Sequence, residues 1–412
     1  MPKINITTRQ LPVGQGGMML SLVKHADDAS STPFSFMFDC GSLNRQHLGA
    51  GLDLLDTKHV DVLFISHLDA DHVNGIDMLM RRPVSVDTVV LPCLDPTTIA
   101  AYVLAEASGA GITTEFGELL SNPAMWFGRR GARRVIFLQR PAGDGRQAPG
   151  GVAQNAAITL GNPNLRYGLE VTLRTRVWSH VPATGNSAEL FEVDADTIID
   201  IASKQATSTT LWTLIPYNHP FEDRLVNAFH AAARTVIASM PPPALSADPL
   251  FTRAILRALA HKSERNVLKA CYRILDIDGN VPSLSLYSGP PMIDPMPKVK
   301  TPYTPSLRAG WLTTGDAKLK AEWIQEPWVK RYAPLFDRVG VFVLPHHGSD
   351  HSIDHNVLQF LSQAQMLSCA DSNSKKHPHK NVTAKIAKLG ISHCVVSEKH
   401  ESEYTTHAVV EI

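Results

Sequence analysis

The densest group of chemically reactive side chains is the segment Ser66-His67-Leu68-Asp69-Ala70-Asp71-His72. It directly follows the apolar run 60–65, which is too short for a helix and is typical of a buried strand. Imidazole nitrogens and carboxylate oxygens are ligands that Zn²⁺, Mn²⁺ and related ions accept. We therefore predict that the two histidines and two aspartates of this turn bind metal. A solvated polar loop is the alternative for such residues.

A further carboxylate is expected where a later strand ends. Asp316 closes the sequence Thr313-Thr314-Gly315-Asp316 after a strand predicted at 309–314, where it could bridge two ions. The alternative is that Asp316 caps a helix predicted at 317–326, which is common at such junctions. Because the first motif already supplies ligands, the sequence favours the metal-binding role.

Two adjacent histidines follow the next predicted strand, at 339–345. They belong to Pro345-His346-His347-Gly348-Ser349, and one of them is expected to face the same cleft. Sites in α/β proteins gather at the carboxyl ends of strands, which favours this over a surface position. The sequence leaves open which of the two binds metal.

The last histidine motif is His377-Pro378-His379, in a loop after the strand predicted at 365–370. Proline stiffens this loop, so an imidazole there could complete the metal shell. An exposed histidine-rich loop is the alternative.

Strands and helices alternate in both terminal parts of the chain. Short apolar runs typical of strands alternate with helical patterns in the first 95 residues. The same alternation of strand and helix patterns begins again at residue 309. Such alternation predicts an α/β layered architecture. We assign 1–95 and 278–412 to two halves of one core and 96–277 to a large insertion.

The insertion is predicted to be partly helical and to cover one side of the core. Helical patterns occupy 97–108, 115–127, 221–238 and 249–275, and strand-like runs occupy 133–139, 169–176 and 209–216. The Gly- and Pro-rich stretch 140–154 is typical of a surface loop.

Composition and charge bear on the compartment and the partners of the protein. The 412 residues include 39 basic and 39 acidic side chains, so the overall charge does not indicate a nucleic-acid-binding protein, although a bound metal could still hold phosphate. Five scattered cysteines without a CxxC motif favour a reducing compartment. No apolar stretch approaches the roughly 20 residues that span a bilayer, and no signal-peptide pattern is present. We expect a cytoplasmic protein without a membrane partner.

In their order along the chain, these motifs resemble the metallo-β-lactamase superfamily. More narrowly, they are similar to the branch that includes the nuclease-like domain of the DNA-uptake channel ComEC. The matching segments are Val13-Gly14-Gln15-Gly16, Asp39-Cys40-Gly41, Ser66 through Gly75, Asn280-Val281-Pro282-Ser283-Leu284, Thr314 to Ala317, Pro345 to Ser349, and Asn373 with His377 to His379. The pattern departs at Gly17, where an aspartate is usual, and no histidine of a separate third motif is found.

The resemblance implies an αββα sandwich with a metal cleft at one edge and one or two divalent ions, Zn or Mn. His67 and Asp69 would hold one ion, Asp71 and His72 the other, and Asp316 would bridge them. His346 and His377 would complete the shells. Asp71 and His347 would serve catalysis, with His347 near a substrate phosphate or acting as proton donor. The substrate contacts implied are Asn280, Ser349 and His379.

The same resemblance implies hydrolysis of a phosphodiester, in DNA or RNA, by a metal-activated water. One alternative is the hydrolysis of another small ester, such as a phosphocholine ester or a lactone. Another is a subunit that works only when a partner protein delivers the substrate, as in cytoplasmic bacterial members of anti-phage defence complexes. Metal identity, oligomeric state and the role of 96–277 stay open.

A local basic segment bears on the nucleic-acid hypothesis. Arg129, Arg130, Arg133 and Arg134 follow Trp126 and Phe127, and arginines with aromatic rings can bind phosphates and bases. The sequence more strongly favours a solvated helix end with Trp126 in the core.

Overall fold

The computed structural model describes residues 3–94, 114–141, 154–204, 209–220, 283–293, 298–300 and 308–411, with isolated positions between 224 and 235. Asn280 lies outside these residues. So do the helices predicted at 97–108 and 249–275 and most of the helix predicted at 221–238.

Strands dominate the part of the chain that is described. In chain order they are β1 (Lys3–Gln10), β2 (Gly16–His25), β3 (Phe34–Ser42), β4 (His59–Phe64), β5 (Ser85–Pro92), β6 (Arg134–Leu138), β7 (Gln154–Thr159), β8 (Leu169–Val181), β9 (Glu189–Val193), β10 (Ile198–Ser203), β11 (Thr210–Asn218), β12 (Leu284–Gly289), β13 (Lys298–Lys300), β14 (Gly310–Thr313), β15 (Val339–Val343), β16 (Gln365–Cys369), β17 (His393–Val396) and β18 (Tyr404–Glu411).

The described helices are short. They are α1 (Arg45–Asp53), α2 (Ala70–Val73), α3 (Ile76–Met80), α4 (Thr114–Ser121), α5 (Pro123–Gly128), α6 (Glu322–Tyr332), α7 (His355–Phe360) and α8 (Lys380–Lys388). Tighter 3₁₀ turns form at Ala333–Arg338, Pro345–Gly348 and His400–Ser402.

Backbone hydrogen bonds join the strands into one sheet that folds over on itself. The neighbours run β13-β18-β1-β2-β3-β4-β5-β6-β9-β8-β10-β11-β12-β14-β15-β16-β17, with β7 also paired to β8. Strands β3 to β6 with β9 are parallel, and so are β14 to β17. The long strand β8 pairs with β9 through one end and with β10 through the other, and so connects the two parallel regions.

Two apolar clusters define the layers. Successive side chains of a strand point to opposite faces, so each strand contributes to both clusters. Phe64 and Val341 belong to a cluster that contains no residue of a helix among those described. Their neighbours Leu63 and Phe342 belong to a cluster that includes residues of α1, α3, α6, α7 and α8. The sheet layers therefore face each other and the helices cover their outer faces, which confirms the predicted α/β architecture.

The helix predicted at 317–326 is displaced toward the carboxyl terminus. Turns occupy the residues after Gly315, whose φ is 52°, and α6 begins only at Glu322. Pro327 lies within the second turn of α6 rather than ending it. Asp316 is therefore not the cap of a helix at 317.

The segment 134–218 contributes strands β6 to β11 to the sheet. Of these, β7, β9 and β10 were not predicted. β7 is largely exposed and β9 only half-buried, and neither shows a clear apolar alternation, whereas β10 does alternate between buried and half-buried positions. The division of the chain at residues 95 and 278 stays a prediction.

Candidate metal centre

The predicted ligand segments meet where parallel strands end. Strand β4 leads into Ser66–His72, β14 into Asp316, β15 into the tandem histidines and β16 into the loop that carries His377. The backbone N–H of Leu284 in β12 donates to the carbonyl of Ser66 over 2.7 Å and fixes the end of β4 to the second half of the chain.

Three buried side chains form the centre of the site. Ligand atoms of His67, His72 and Asp316 all lie within 4.8 Å of one another. Nε2 of His72 is 3.3 Å from Oδ1 of Asp316, and Nε2 of His67 is 3.7 Å from Oδ2. Both Nε2 atoms are buried and have no hydrogen-bond partner within the described ranges. Since a buried polar atom without a partner is costly, these atoms fit metal ligands.

A second group overlaps the first through His72. It contains Asp71, His72 and His347, again with ligand atoms within 4.8 Å of one another. Nε2 of His347 is 3.1 Å from Oδ2 of Asp71, within hydrogen-bond distance, and Nε2 of His72 is 4.0 Å from the same oxygen. The structure thus places Asp71, His72 and His347 together.

The remaining predicted ligands lie at the margin of this cluster. Oδ2 of Asp69 is 3.7 Å from Nε2 of His67. Nε2 of His346 is 3.8 Å from Oδ2 of Asp316, the same oxygen that His67 approaches. The ring of His377 stacks on that of His346, with 5.5 Å between centroids. Every predicted metal ligand therefore contacts another member of the cluster, and the role of each stays a prediction.

Two predicted substrate-binding residues make contacts within the chain. Ser349 is buried, and its hydroxyl accepts from the backbone N–H of His351 over 3.3 Å. His379 caps α8, where its Nδ1 accepts from the N–H of Asn381 over 3.3 Å. These contacts do not test a substrate role.

Asp39 is a site residue that sequence reasoning missed. Its buried carboxylate accepts from Nδ1 of His72 over 2.7 Å and from the backbone N–H of Ser66 over 2.6 Å. An Nδ1–H that donates to a carboxylate fixes the tautomer and leaves Nε2 as the metal-binding atom. The strand end Asp39-Cys40-Gly41 was the available signal.

Ser283 positions Asp316. Its hydroxyl accepts from the backbone N–H of Asp316 over 3.0 Å and lies 3.2 Å from the carbonyl of Thr314. It belongs to the segment Asn280–Leu284 that carries the resemblance, but nothing in the sequence alone indicated which residue it supports.

Backbone strain is concentrated at the site. Among the described residues, the non-glycine residues with positive φ are Asp39 at 59°, His346 at 48° and His347 at 57°. Each such residue costs about 1–2 kcal/mol, a cost that persists only where surrounding contacts impose the conformation. The strained turn directs two consecutive imidazoles into the cluster.

The ionisable groups of the centre shift in opposite directions. Burial lowers the pKa of His67 to about 4. Burial would also lower the pKa of His72, but the carboxylates of Asp316, Asp39 and Asp71 raise it well above its usual value. For Asp316, burial would raise the pKa, yet the surrounding histidines hold it well below its usual range. The field that favours a proton on His72 would equally favour a divalent cation among these atoms.

Two arginines of the basic segment considered for nucleic-acid binding form ion pairs within the chain. Nε of Arg130 lies 3.1 Å from a carboxylate oxygen of Asp77, and Nε of Arg133 lies 2.9 Å from one of Asp87. Trp126 is buried, as the packing interpretation predicted.

No helix in the described ranges has the length and apolar character required to cross a membrane.

No family model matches the chain, and no curated protein matches it. Among solved structures, unliganded yeast PDE1 is similar with a TM-score of 0.36 and 9% identity, covering 100% of both chains. The short form of human tRNase Z (ELAC1) has a TM-score of 0.33 and 9% identity, covering 95% of this chain and 91% of that chain. At such TM-scores neither structure supports a function for this chain.

Proposed function

We propose that this protein is a metal-dependent hydrolase of the metallo-β-lactamase type that cleaves phosphodiester bonds, with DNA or RNA as the substrate class. The observation that carries the proposal is the convergence of His67, His72 and Asp316 with both imidazole Nε2 atoms buried and free of hydrogen bonds within the described residues. These residues come from segments about 250 positions apart, and burial of unsatisfied groups is costly unless they bind something.

The donor set suits one or two divalent ions. His67 and Asp69 with Asp316, and Asp71 with His72, would hold them, with His346 and His377 at the margin. Mixed imidazole and carboxylate donors accept Zn²⁺ and Mn²⁺. Such an ion supplies Lewis acidity toward a phosphoryl oxygen and lowers the pKa of water.

Residues of the chain orient the groups that would act on the substrate. Asp39 holds Nδ1–H of His72. Asp71 lies within hydrogen-bond distance of Nε2 of His347 and fixes the orientation of that ring. We assign to His347 the transfer of a proton to the leaving oxygen, a general-acid role suited to imidazole.

The test combines loss of two carboxylates with a panel of substrates. The variants Asp71→Asn and Asp316→Asn are expected to lower kcat/KM for zinc- or manganese-loaded protein at least about 100-fold, equivalent to about 2.7 kcal/mol. The panel is single- and double-stranded DNA, RNA, bis(p-nitrophenyl) phosphate, a phosphocholine ester and a lactone.

The matched control is Asp337→Asn, because that carboxylate is largely exposed and away from the cluster. It is expected to retain full activity. Wild-type rates in the two site variants would refute the assignment of the centre. Activity on the lactone or phosphocholine ester alone would refute the nucleic-acid substrate, and silence on the whole panel would refute independent hydrolysis.

A further inference from the structure

A second group of metal-binding side chains lies outside the candidate metal centre. His47 belongs to α1, Asp371 follows β16 and Glu398 follows β17. One ligand atom from each lies within 4.8 Å of the other two. The group connects the first half of the chain to the second at the same sheet edge as the metal centre.

The spacing within this group suits a small cation. Nδ1 of His47 is 3.5 Å from Oδ1 of Asp371. Ligand atoms of a tetrahedral zinc ion, each about 2.0–2.1 Å from the metal, lie about 3.3 Å apart. Nδ1 of His47 is a buried atom with no hydrogen-bond partner in the described part of the chain, although the ring as a whole is partly exposed. Nε2 on the opposite side of the ring lies 3.2 Å from Nδ2 of Asn44, and this contact orients the ring with Nδ1 facing Asp371.

Neighbouring backbone groups hold the carboxylates in place. Oδ1 of Asp371 accepts from the backbone N–H of Gln15 over 3.1 Å. The carboxylate of Glu398 accepts from the N–H of Ser372 over 2.8 Å and from its hydroxyl. Burial would raise the pKa of Glu398, but these hydrogen bonds lower it to about 2, so the group is ionised at neutral pH. Ligands fixed in this way lose little freedom when a cation binds.

The glycine turn is also shaped around this group. The φ of Gly14 is 73°, and a Cβ at this position would collide with Oδ1 of Asp371 and lie 3.2 Å from Nδ1 of His47. Only a residue without a side chain leaves this approach open. The glycine turn that carries part of the family resemblance is thus packed directly on the second group.

We propose that His47, Asp371 and Glu398 form an auxiliary site for a divalent transition metal, with Zn²⁺ as the best match. One imidazole and two carboxylates are a zinc donor set, and the two negative charges balance the dication. The ion connects α1 to the ends of β16 and β17. Because Asp371 begins the loop that carries His377, a bound ion restrains that loop beside the metal centre. This inference does not depend on the hydrolytic proposal.

The experiment measures zinc binding by the full chain. In the background Asp71→Asn with Asp316→Asn, which weakens the metal centre, zinc is titrated into chelator-treated protein against a chromogenic competitor. One zinc ion per chain is expected to remain bound. Adding His47→Gln and Glu398→Gln is expected to lower the affinity for this ion at least about 100-fold, since loss of ligands exceeds the loss seen for their outer partners.

The control is His400→Gln with Glu401→Gln, because these exposed residues lie close to Glu398 in sequence and have the same chemistry. It is expected to leave the affinity unchanged.

Circular dichroism in chelator checks that each variant is folded. The zinc-dependent rise in the midpoint of urea unfolding should disappear only with His47→Gln and Glu398→Gln. Equal zinc affinity with and without these two substitutions, or a background that binds no zinc, would overturn the proposal. Failure of hydrolysis in the wild type would change neither readout.

Discussion

In the candidate metal centre, carboxylates orient the histidines. Asp39 binds Nδ1 of His72, and Asp71 binds Nε2 of His347. In each pair a buried or half-buried carboxylate decides which imidazole nitrogen carries a proton. The cluster is therefore a set of coupled pairs rather than a collection of independent ligands.

The substitution Asp39→Asn tests this coupling. Asparagine tolerates the positive φ of 59° better than most residues, so the fold should persist. We expect zinc affinity at the centre to fall about 10- to 100-fold, the usual effect of losing a carboxylate behind a ligating histidine. The measurement is competition with a chromogenic chelator, and Asp27→Asn, at an exposed position, is the control. Unchanged affinity would show that Asp39 does not determine the ligand state of His72.

Among the secondary-structure elements, the turns after β14 and β15 contain the strained backbone of the site. Gly315 and Gly348 have positive φ, and the backbone N–H of His346 donates to the carbonyl of Gly315 over 3.0 Å. The two turns thus support each other, and Asp316 and His346 are brought to the same point by backbone contacts as well as by side chains.

The substitution Gly315→Ala separates two effects of a side chain at this turn. Its Cβ would collide with Ser283 Oγ and would lie 2.6 Å from Ser66 Cβ, in addition to the cost of positive φ. Gly390→Ala is the matched control, because φ there is 66° and nothing lies within 4 Å of the added Cβ.

For this pair we expect different losses. Gly390→Ala should lose about 1 kcal/mol of unfolding free energy from the backbone alone and keep its zinc affinity. Gly315→Ala should lose at least about 1 kcal/mol more, from overpacking, and bind zinc more weakly. Urea unfolding and zinc titration measure both. Equal losses in the two variants would contradict the packing account of the turn.

At the scale of the whole molecule, pairing between strands from distant parts of the chain assembles the site and stabilises the fold. Strand β1 pairs along its length with β18, and β11 pairs with β12. His219 lies at the end of β11, fully buried, with Nε2 2.8 Å from the hydroxyl of Ser285. Burial therefore disfavours a charge on this ring in the folded chain.

Unfolding should therefore become easier in acid through His219. Burial lowers the pKa of His219 to about 3 in the folded chain, whereas an unfolded histidine takes up its proton near 6.5. Below pH 6.5 the unfolded chain binds the additional proton, so stability falls as the pH falls, by about 1.4 kcal/mol per unit. Between pH 7 and 5, His219→Gln should lose about 2 kcal/mol less than the wild type.

Urea unfolding at each pH measures this difference, and His355→Gln, at an exposed position of α7, is the control. A wild type and a His219→Gln variant with parallel pH profiles would contradict the buried, neutral state of the ring.

The local pattern of residues was enough to predict the α/β class and the segments that meet at the candidate metal centre. Apolar runs as short as 60–65 and a turn such as Ser66–His72 are contiguous in the chain. Their periodicity and composition can therefore be recognised from the sequence alone. The same holds for Asp316, His346 and His377, each of which follows a predicted strand. These residues do meet at one sheet edge.

Pairing between distant segments required the folded chain. The hydrogen bond from His72 to Asp39, the support of Asp316 by Ser283 and the group of His47, Asp371 and Glu398 join residues that are 27 to hundreds of positions apart. The late start of α6 has the same origin, because the turn after Gly315 is set by its contacts with Ser66 and Ser283 rather than by helix propensity. Such contacts depend on sheet order and register, which local periodicity does not specify.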